Sequence, residues 1–232
     1  MVGQLADGSL VAIGSSGSFL RAEAGRVATD TAFFSRFAAT GTFLTAFRSV
    51  PGAACYGFGA GEQQSFWMVP FTPEPRWAVA GDRLYLGTGS TPRVEAWSSE
   101  GALQQIVRGP ESSSSVESVD VRRYGDELLA LAGDDNERRQ IARFLSDVPF
   151  PERLPAFRAL RADALGYLWV ERFRRPGESQ PEWLVFELEG RWLGTVETPP
   201  GVRVMEIGAE YVLGIDRDEL DIERVLLYEL AR

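Results

Sequence analysis

Residues Pro155 to Pro199 read PAFRALRADALGYLWVERFRRPGESQPEWLVFELEGRWLGTVETP. Aromatic and branched residues alternate with polar ones, and Asp/Gly pairs interrupt the alternation. Large branched groups suit a pleated, half-buried surface, while Asp and Gly supply turn geometry. The pattern predicts four short strands: Phe157 to Asp163, Tyr167 to Val170, Glu182 to Leu188 and Arg191 to Thr198. Asp163-Ala164-Leu165-Gly166 turns the first into the second, and Glu189-Gly190 turns the third into the fourth.

Working outward, the same offsets recur. An aromatic residue precedes a glycine by four positions at Phe37/Gly41, Trp97/Gly101 and Phe186/Gly190. Two residues beyond each glycine stands a large apolar group, Phe43, Leu103 or Trp192. Three before each aromatic stands another, Phe34, Val94 or Trp183; Tyr228 with Val225 begins a fourth copy. The first two strands recur as well, around Asp7-Gly8, around Gly81-Asp82 and between Arg203 and Leu213. Fixed offsets in a repeated four-strand unit predict an all-β chain of the β-propeller kind, a ring of small antiparallel sheets. The repeats fall at about 2–50, 77–109, 155–199 and 202–232. The last shows only three strands, and no segment is left to complete it. The chain is therefore expected to be part of a larger ring, or to close unusually.

Between repeats two and three the hydrophobic period lengthens to about 3.6, which predicts a helical insertion over about 116–147. Val121, Tyr124, Leu128 and Leu131 share one helix face; Asp134 with Glu137 has the form of a capping box opening a second helix. That second helix carries Ile141, Phe144 and Leu145 and ends at Pro149. Pro51 to Gly61 reads as a glycine-rich loop, and Ser65 to Phe71 as a further strand.

Composition restricts the chemistry. The 232 residues contain no histidine and no lysine, so all 24 basic side chains are arginine. Histidine general bases, His-ligated metals, Schiff bases and P-loop phosphate binding are thereby excluded. The single cysteine, Cys55, excludes an internal disulfide and reads as a buried small residue. A net charge of -9 argues against nucleic-acid partners. No apolar run approaches the ~20 residues that span a bilayer, and no secretion signal is visible at the start.

Leu154-Pro155-Ala156-Phe157, then Ala162 to Val170, and the segment Asp218 to Val225 resemble the bacterial six-bladed β-propeller proteins related to the NHL repeat. The likeness is good over 148–232 and looser over 1–109. It implies that about two blades precede this chain, together with an export signal to the cell envelope. Relatives of that kind include binding scaffolds and metal-dependent hydrolases or lyases.

Superposing the repeats places an arginine at the opening of three first strands: Arg76, Arg158 and Arg203. First strands of a propeller line its channel, so these guanidiniums are candidates for an anion site at the channel mouth. Rim arginines paired with neighbouring carboxylates would show the same pattern. Asp7, Asp82 and Asp163 occupy equivalent first turns and are candidate Ca²⁺ ligands, though Asp also stabilises turns by itself. Asp216, Asp218, Glu219 and Asp221 form an acidic run without EF-hand spacing and read as a solvated turn. Gly57 to Gly61 lacks the strand-then-helix context of a phosphate loop, and the six tryptophans read as packing between sheets. The leading expectation is a non-catalytic binding or scaffold protein for a protein, glycan or small anion. A calcium-dependent hydrolase or lyase and a fragment without an independent role stand as alternatives.

Overall fold

The computed structural model describes residues 3–21, 23–58, 65–111 and 114–231. Four antiparallel sheets follow one another along the chain, each built from neighbouring strands in sequence order. The first holds β1 (Gly3–Gln4), β2 (Leu10–Ser15), β3 (Val27–Phe37), β4 (Phe43–Phe58) and β5 (Ser65–Met68). The second holds β6 (Arg76–Ala80), β7 (Arg83–Gly87), β8 (Arg93–Ser98) and β9 (Leu103–Arg108). The third holds β10 (Phe157–Ala162), β11 (Leu168–Arg172), β12 (Glu182–Phe186) and β13 (Trp192–Glu197). The fourth has three strands among the described residues: β14 (Arg203–Ile207), β15 (Tyr211–Arg217) and β16 (Glu223–Glu229).

The offsets noticed in sequence occupy matching register positions. Phe37 stands opposite Leu10 and Phe43, Trp97 opposite Leu84 and Leu103, and Phe186 opposite Leu168 and Trp192. Tyr228 stands opposite Val212 in the fourth sheet. A register shift immediately before the aromatic recurs in the first three sheets. The following turn also repeats bond for bond: Gly41, Gly101 and Gly190 donate to the carbonyls of Ala38, Ser98 and Glu187 at 2.8–2.9 Å. All three glycines have φ near +80°, which a side chain would strain, and that explains the fixed glycine offset.

Apolar clusters join each sheet to the next. Val11, Phe34 and Phe47 of the first sheet meet Leu84 and Leu86 of the second. Tyr85, Val94 and Val107 of the second meet Phe157, Leu168 and Phe186 of the third. Trp169, Trp183 and Val185 of the third meet Val204, Ile207 and Val212 of the fourth. Alternation along each strand supplies one set of side chains to each neighbour, so both faces of the middle sheets are apolar.

Two helices separate the second and third sheets, α1 (Ser118–Ala130) and α2 (Asp135–Asp147). Asp134 caps α2 by accepting from Glu137 N at 2.8 Å, while the Glu137 carboxylate accepts from Gly133 N, one residue before the expected partner. A capping box at α1, formed by Glu117 and Asp120, had no Ser/Thr signature to announce it. Leu131 lies at the exposed end of α1 and adds nothing to its apolar face.

The expected loop over Pro51 to Gly61 needs correction. Residues 51–58 continue β4, and Gly59 to Gly61 fall outside the described residues. A register shift between Thr29 and Thr31 lets Asp30 absorb the Pro51-Gly52 irregularity, which is how a strand accommodates proline. A Cβ on Gly52 would sit 3.1 Å from that of Asp30. The Asp30 carboxylate accepts from the hydroxyls of Ser15, Ser16 and Ser18. Burial opposes its ionisation, but these bonds and the N–H groups of Thr31 and Ser18 outweigh it and hold its pKa far below the usual range. The extended hairpin then receives α2: Phe144 packs on Trp67 at 4.8 Å between ring centres and on Tyr56 at 6.3 Å. The strand expected over Ser65 to Phe71 ends at Met68, with one further bond from Val69 N to the Ala54 carbonyl at 2.8 Å.

Candidate functional site: an arginine-lined cavity

Between the third and fourth sheets lies a cavity of about 370 Å³. β10 contributes Arg158 and Arg161, the end of β11 Glu171, the loop beyond it Arg174, and β14 Arg203. Trp183, Pro181, Val202 and Val204 form its apolar wall. A bulge between Phe157 and Ala159 leaves Arg158 out of the strand pairing, a device that re-aims a side chain at a sheet rim. Glu171 stands opposite both Ala159 and Trp183, on the face that Trp169 presents to the fourth sheet. A carboxylate has been carried inward on the alternation of an otherwise apolar strand.

Four guanidiniums thus face one carboxylate. Glu171 is 8% exposed, and its Oε1 lies 3.4 Å from Arg174 Nε and 3.6 Å from Arg158 Nε. Both separations fit ion pairs and exceed good hydrogen-bond lengths. Arg174 Nε is buried with no hydrogen-bond partner among the described residues. Arg161 Nη1 donates to the Met205 carbonyl at 3.1 Å, and Arg203 pairs with Glu223 at 3.8 Å. Burial pushes the Glu171 pKa up, against the pull of Arg158, Arg174, Arg161 and, last, Arg76. Burial likewise pulls the Arg161 and Arg174 pKa values down. Water is displaced from charges here without full compensation, the condition in which an arriving ion is held strongly.

A second buried glutamate shows what compensation looks like. Glu95, beside a cavity of about 180 Å³ between the first two sheets, accepts from Arg48 Nη1 at 2.9 and 2.7 Å. Arg93 Nη2 donates to it at 2.9 Å and Trp97 Nε1 at 3.2 Å. Glu95 is closed by short hydrogen bonds, whereas Glu171 is held by the two longer ion pairs.

Of the three arginines singled out by superposition, Arg158 and Arg203 meet in the cavity. Arg76 does not line it; it pairs with Glu74 at 2.8 Å and borders a separate cavity against the first sheet. Arg161, Arg174 and Glu171 escaped the sequence reading. For Glu171 a signal existed, since Trp169 and Glu171 share a strand face.

The three candidate calcium ligands are not gathered. Asp7 pairs with Arg36 and accepts from Ser9 N and Oγ. Asp82 is exposed. Asp163 is buried and accepts from Leu165 N, Tyr167 N and Trp169 Nε1. Among the described residues, no three His, Cys, Asp or Glu side chains stand close enough to hold a metal ion. The acidic run forms a turn: Asp218 accepts from Leu220 N and Ile222 N, while Asp216 and Asp221 pair with Arg224 and Arg217. Cys55 is buried with its Sγ 3.5 Å from Met68 Sδ, and burial raises its pKa, leaving an unactivated thiol.

The raised pKa of Glu171 carries a stability consequence. Its folded-state value lies above the ordinary 4.5, so the ionised form opposes folding once the pH exceeds that range. Glu171→Gln is expected to raise the urea midpoint at pH 7, with the gain vanishing below pH 4.5, where the carboxyl is protonated in both states. A loss of stability at pH 7 would contradict it.

Among models of protein families and sequences of curated proteins, none matches this chain. Among the described residues, no helix is long and apolar enough to cross a membrane.

Proposed function

We propose that this chain is a non-catalytic binding module whose ligand is a small anion, held in the cavity between the third and fourth sheets. The observation that carries the reading is the excess of guanidiniums over carboxylates, Arg158, Arg161, Arg174 and Arg203 against Glu171, in a chain of net charge -9. A positive cavity in a negative surround attracts a compact anion and repels a polyanion such as nucleic acid. Guanidinium forks match carboxylate and phosphate oxygens bidentately, and the ~370 Å³ volume lies at the small end of ligand sites. The four sheets are, in the same proposal, consecutive blades of a six-bladed propeller of NHL type. Their chain order, the recurring register of Phe37, Trp97, Phe186 and Tyr228, and the sheet-to-sheet clusters support it.

Titration calorimetry, with tryptophan fluorescence alongside, tests the site. Citrate and phosphate are the probes. Citrate is expected to bind, and Arg158→Gln/Arg203→Gln to weaken it by at least tenfold, or ~1.4 kcal/mol, while Arg143→Gln on α2 leaves it unchanged. Equal binding by the wild type and the double variant, or none by the wild type at millimolar concentration, would remove the proposal.

A further inference from the structure

Two groups in the cavity lack short hydrogen bonds and have opposite hydrogen-bonding character. Arg174 Nε is a buried donor without a hydrogen bond, and the Glu171 carboxylate, 3.4 Å from that nitrogen and 3.6 Å from Arg158 Nε, is held by ion pairs too long to be good hydrogen bonds. A buried polar group left without a partner costs about 1–3 kcal/mol, so a ligand that satisfies both is favoured over one that satisfies one. Phosphate-like or carboxylate oxygens alone answer the arginines but place negative charge beside Glu171. A ligand that brings its own donor answers both.

The geometry points to a polycarboxylate carrying a hydroxyl or ammonium group on a carbon next to a carboxylate: the carboxylates take the guanidiniums of Arg158, Arg174 and Arg203, and the donor faces Glu171. This rests on the anion-binding reading above and assigns its ligand class. The charge balance agrees with it. Four guanidiniums against Glu171 in the lining, with Arg203 also paired to Glu223 at its edge, leave two to three positive charges in excess, suited to a ligand with two or three carboxylates rather than one. Glu171 becomes the specificity-determining residue, because an acceptor held in a largely buried wall rejects an analogue lacking the matching donor more strongly than a solvated one does.

The test compares matched pairs by calorimetry on the intact chain: L-malate with succinate, citrate with tricarballylate, and L-aspartate as the ammonium analogue of malate. In the wild type the hydroxylated member of each pair is expected to bind at least tenfold more tightly. Aspartate tighter than malate would assign an ammonium donor, and malate tighter than aspartate a hydroxyl; either supports the inference. Glu171→Ala is expected to move the pair in opposite directions. Malate weakens by about tenfold, while succinate holds or tightens because a repelling carboxylate has gone. A variant that simply unfolded would lose both. Equal wild-type affinity for malate and succinate overturns the inference and leaves the arginine site standing. No binding by any of the five acids overturns the site and the inference together.

Discussion

Asp163→Ala is expected to lower the stability of the fold by about 3–5 kcal/mol, roughly 10 °C in melting temperature for a chain of this size. One carboxylate, 6% exposed, holds three donors: Leu165 N at 3.0 Å, Tyr167 N at 2.9 Å and Trp169 Nε1 at 3.0 Å. The first two shape the turn between β10 and β11, and the third anchors an indole that is almost wholly buried between the third and fourth sheets. The same turn reaches the next sheet, through Ala164 N to the Ile207 carbonyl at 2.9 Å. Removing the carboxylate strands the Trp169 indole N–H in the core and at the same time releases two part-buried turn amides. Asp218 provides an internal control, because it accepts from Leu220 N and Ile222 N with the same spacing but on an exposed turn. Asp218→Ala should cost about 1 kcal/mol, since water replaces the lost bonds. Asp163→Asn should fall between them. Its carbonyl can still accept from the turn, but its amide would face the indole N–H, donor against donor. Urea unfolding of the three variants decides it, and an Asp163→Ala loss no larger than that of Asp218→Ala would refute the burial argument.

That residue also marks how far the sequence could be read. Asp163 was visible as a turn former and as a possible metal ligand, and only burial against Trp169 separates the two. The repeats were legible because a glycine forced to positive φ must recur wherever the turn recurs, and the aromatic four positions earlier fixes the register. Arg158 and Arg203 were legible because superposed repeats place them at strand openings. Arg76 shares that opening, yet it is paired locally with Glu74 and lines a different cavity. Arg174 could not be read at all, as it lies in an irregular loop with no period to place it. Pro51 and Gly52 misled for the opposite reason, being punctuation residues absorbed by a bulge in β4 opposite Asp30 instead of ending a strand.

The loop that carries Arg174 is positioned by the helical insertion, and from that comes the second large effect. α1 grips residues 175–177, next to Arg174, at several points. Asp120 accepts from Arg175 Nη1, Glu127 accepts from Gly177 N at 2.9 Å, and Arg123 donates to the Pro176 carbonyl at 3.4 Å. Asp120 is 2% exposed and also accepts from Glu117 N at 2.8 Å, closing the capping box of α1. Asp120→Ala therefore removes one half of the capping box and leaves the Arg175 guanidinium with only the Ser115 carbonyl at 3.3 Å and Glu117 at 3.8 Å. Breaking one side of a buried ion pair costs about 3–5 kcal/mol; Arg175 is partly solvated, which places the expected loss near the lower figure. Arg175→Ala should cost less than Asp120→Ala, because Asp120 keeps its bond to Glu117 N. The pair should couple in a double-mutant cycle, Asp120→Ala/Arg175→Ala losing less than the sum. A binding consequence separates this from general weakening. Freed from α1, the loop no longer holds Arg174 against the cavity, so citrate affinity should fall in Asp120→Ala under conditions where the chain remains folded. Hydrogen exchange over residues 173–180 should rise there and stay unchanged in β14. Unaltered exchange in that loop, with citrate affinity intact, would show that the helices do not position the site.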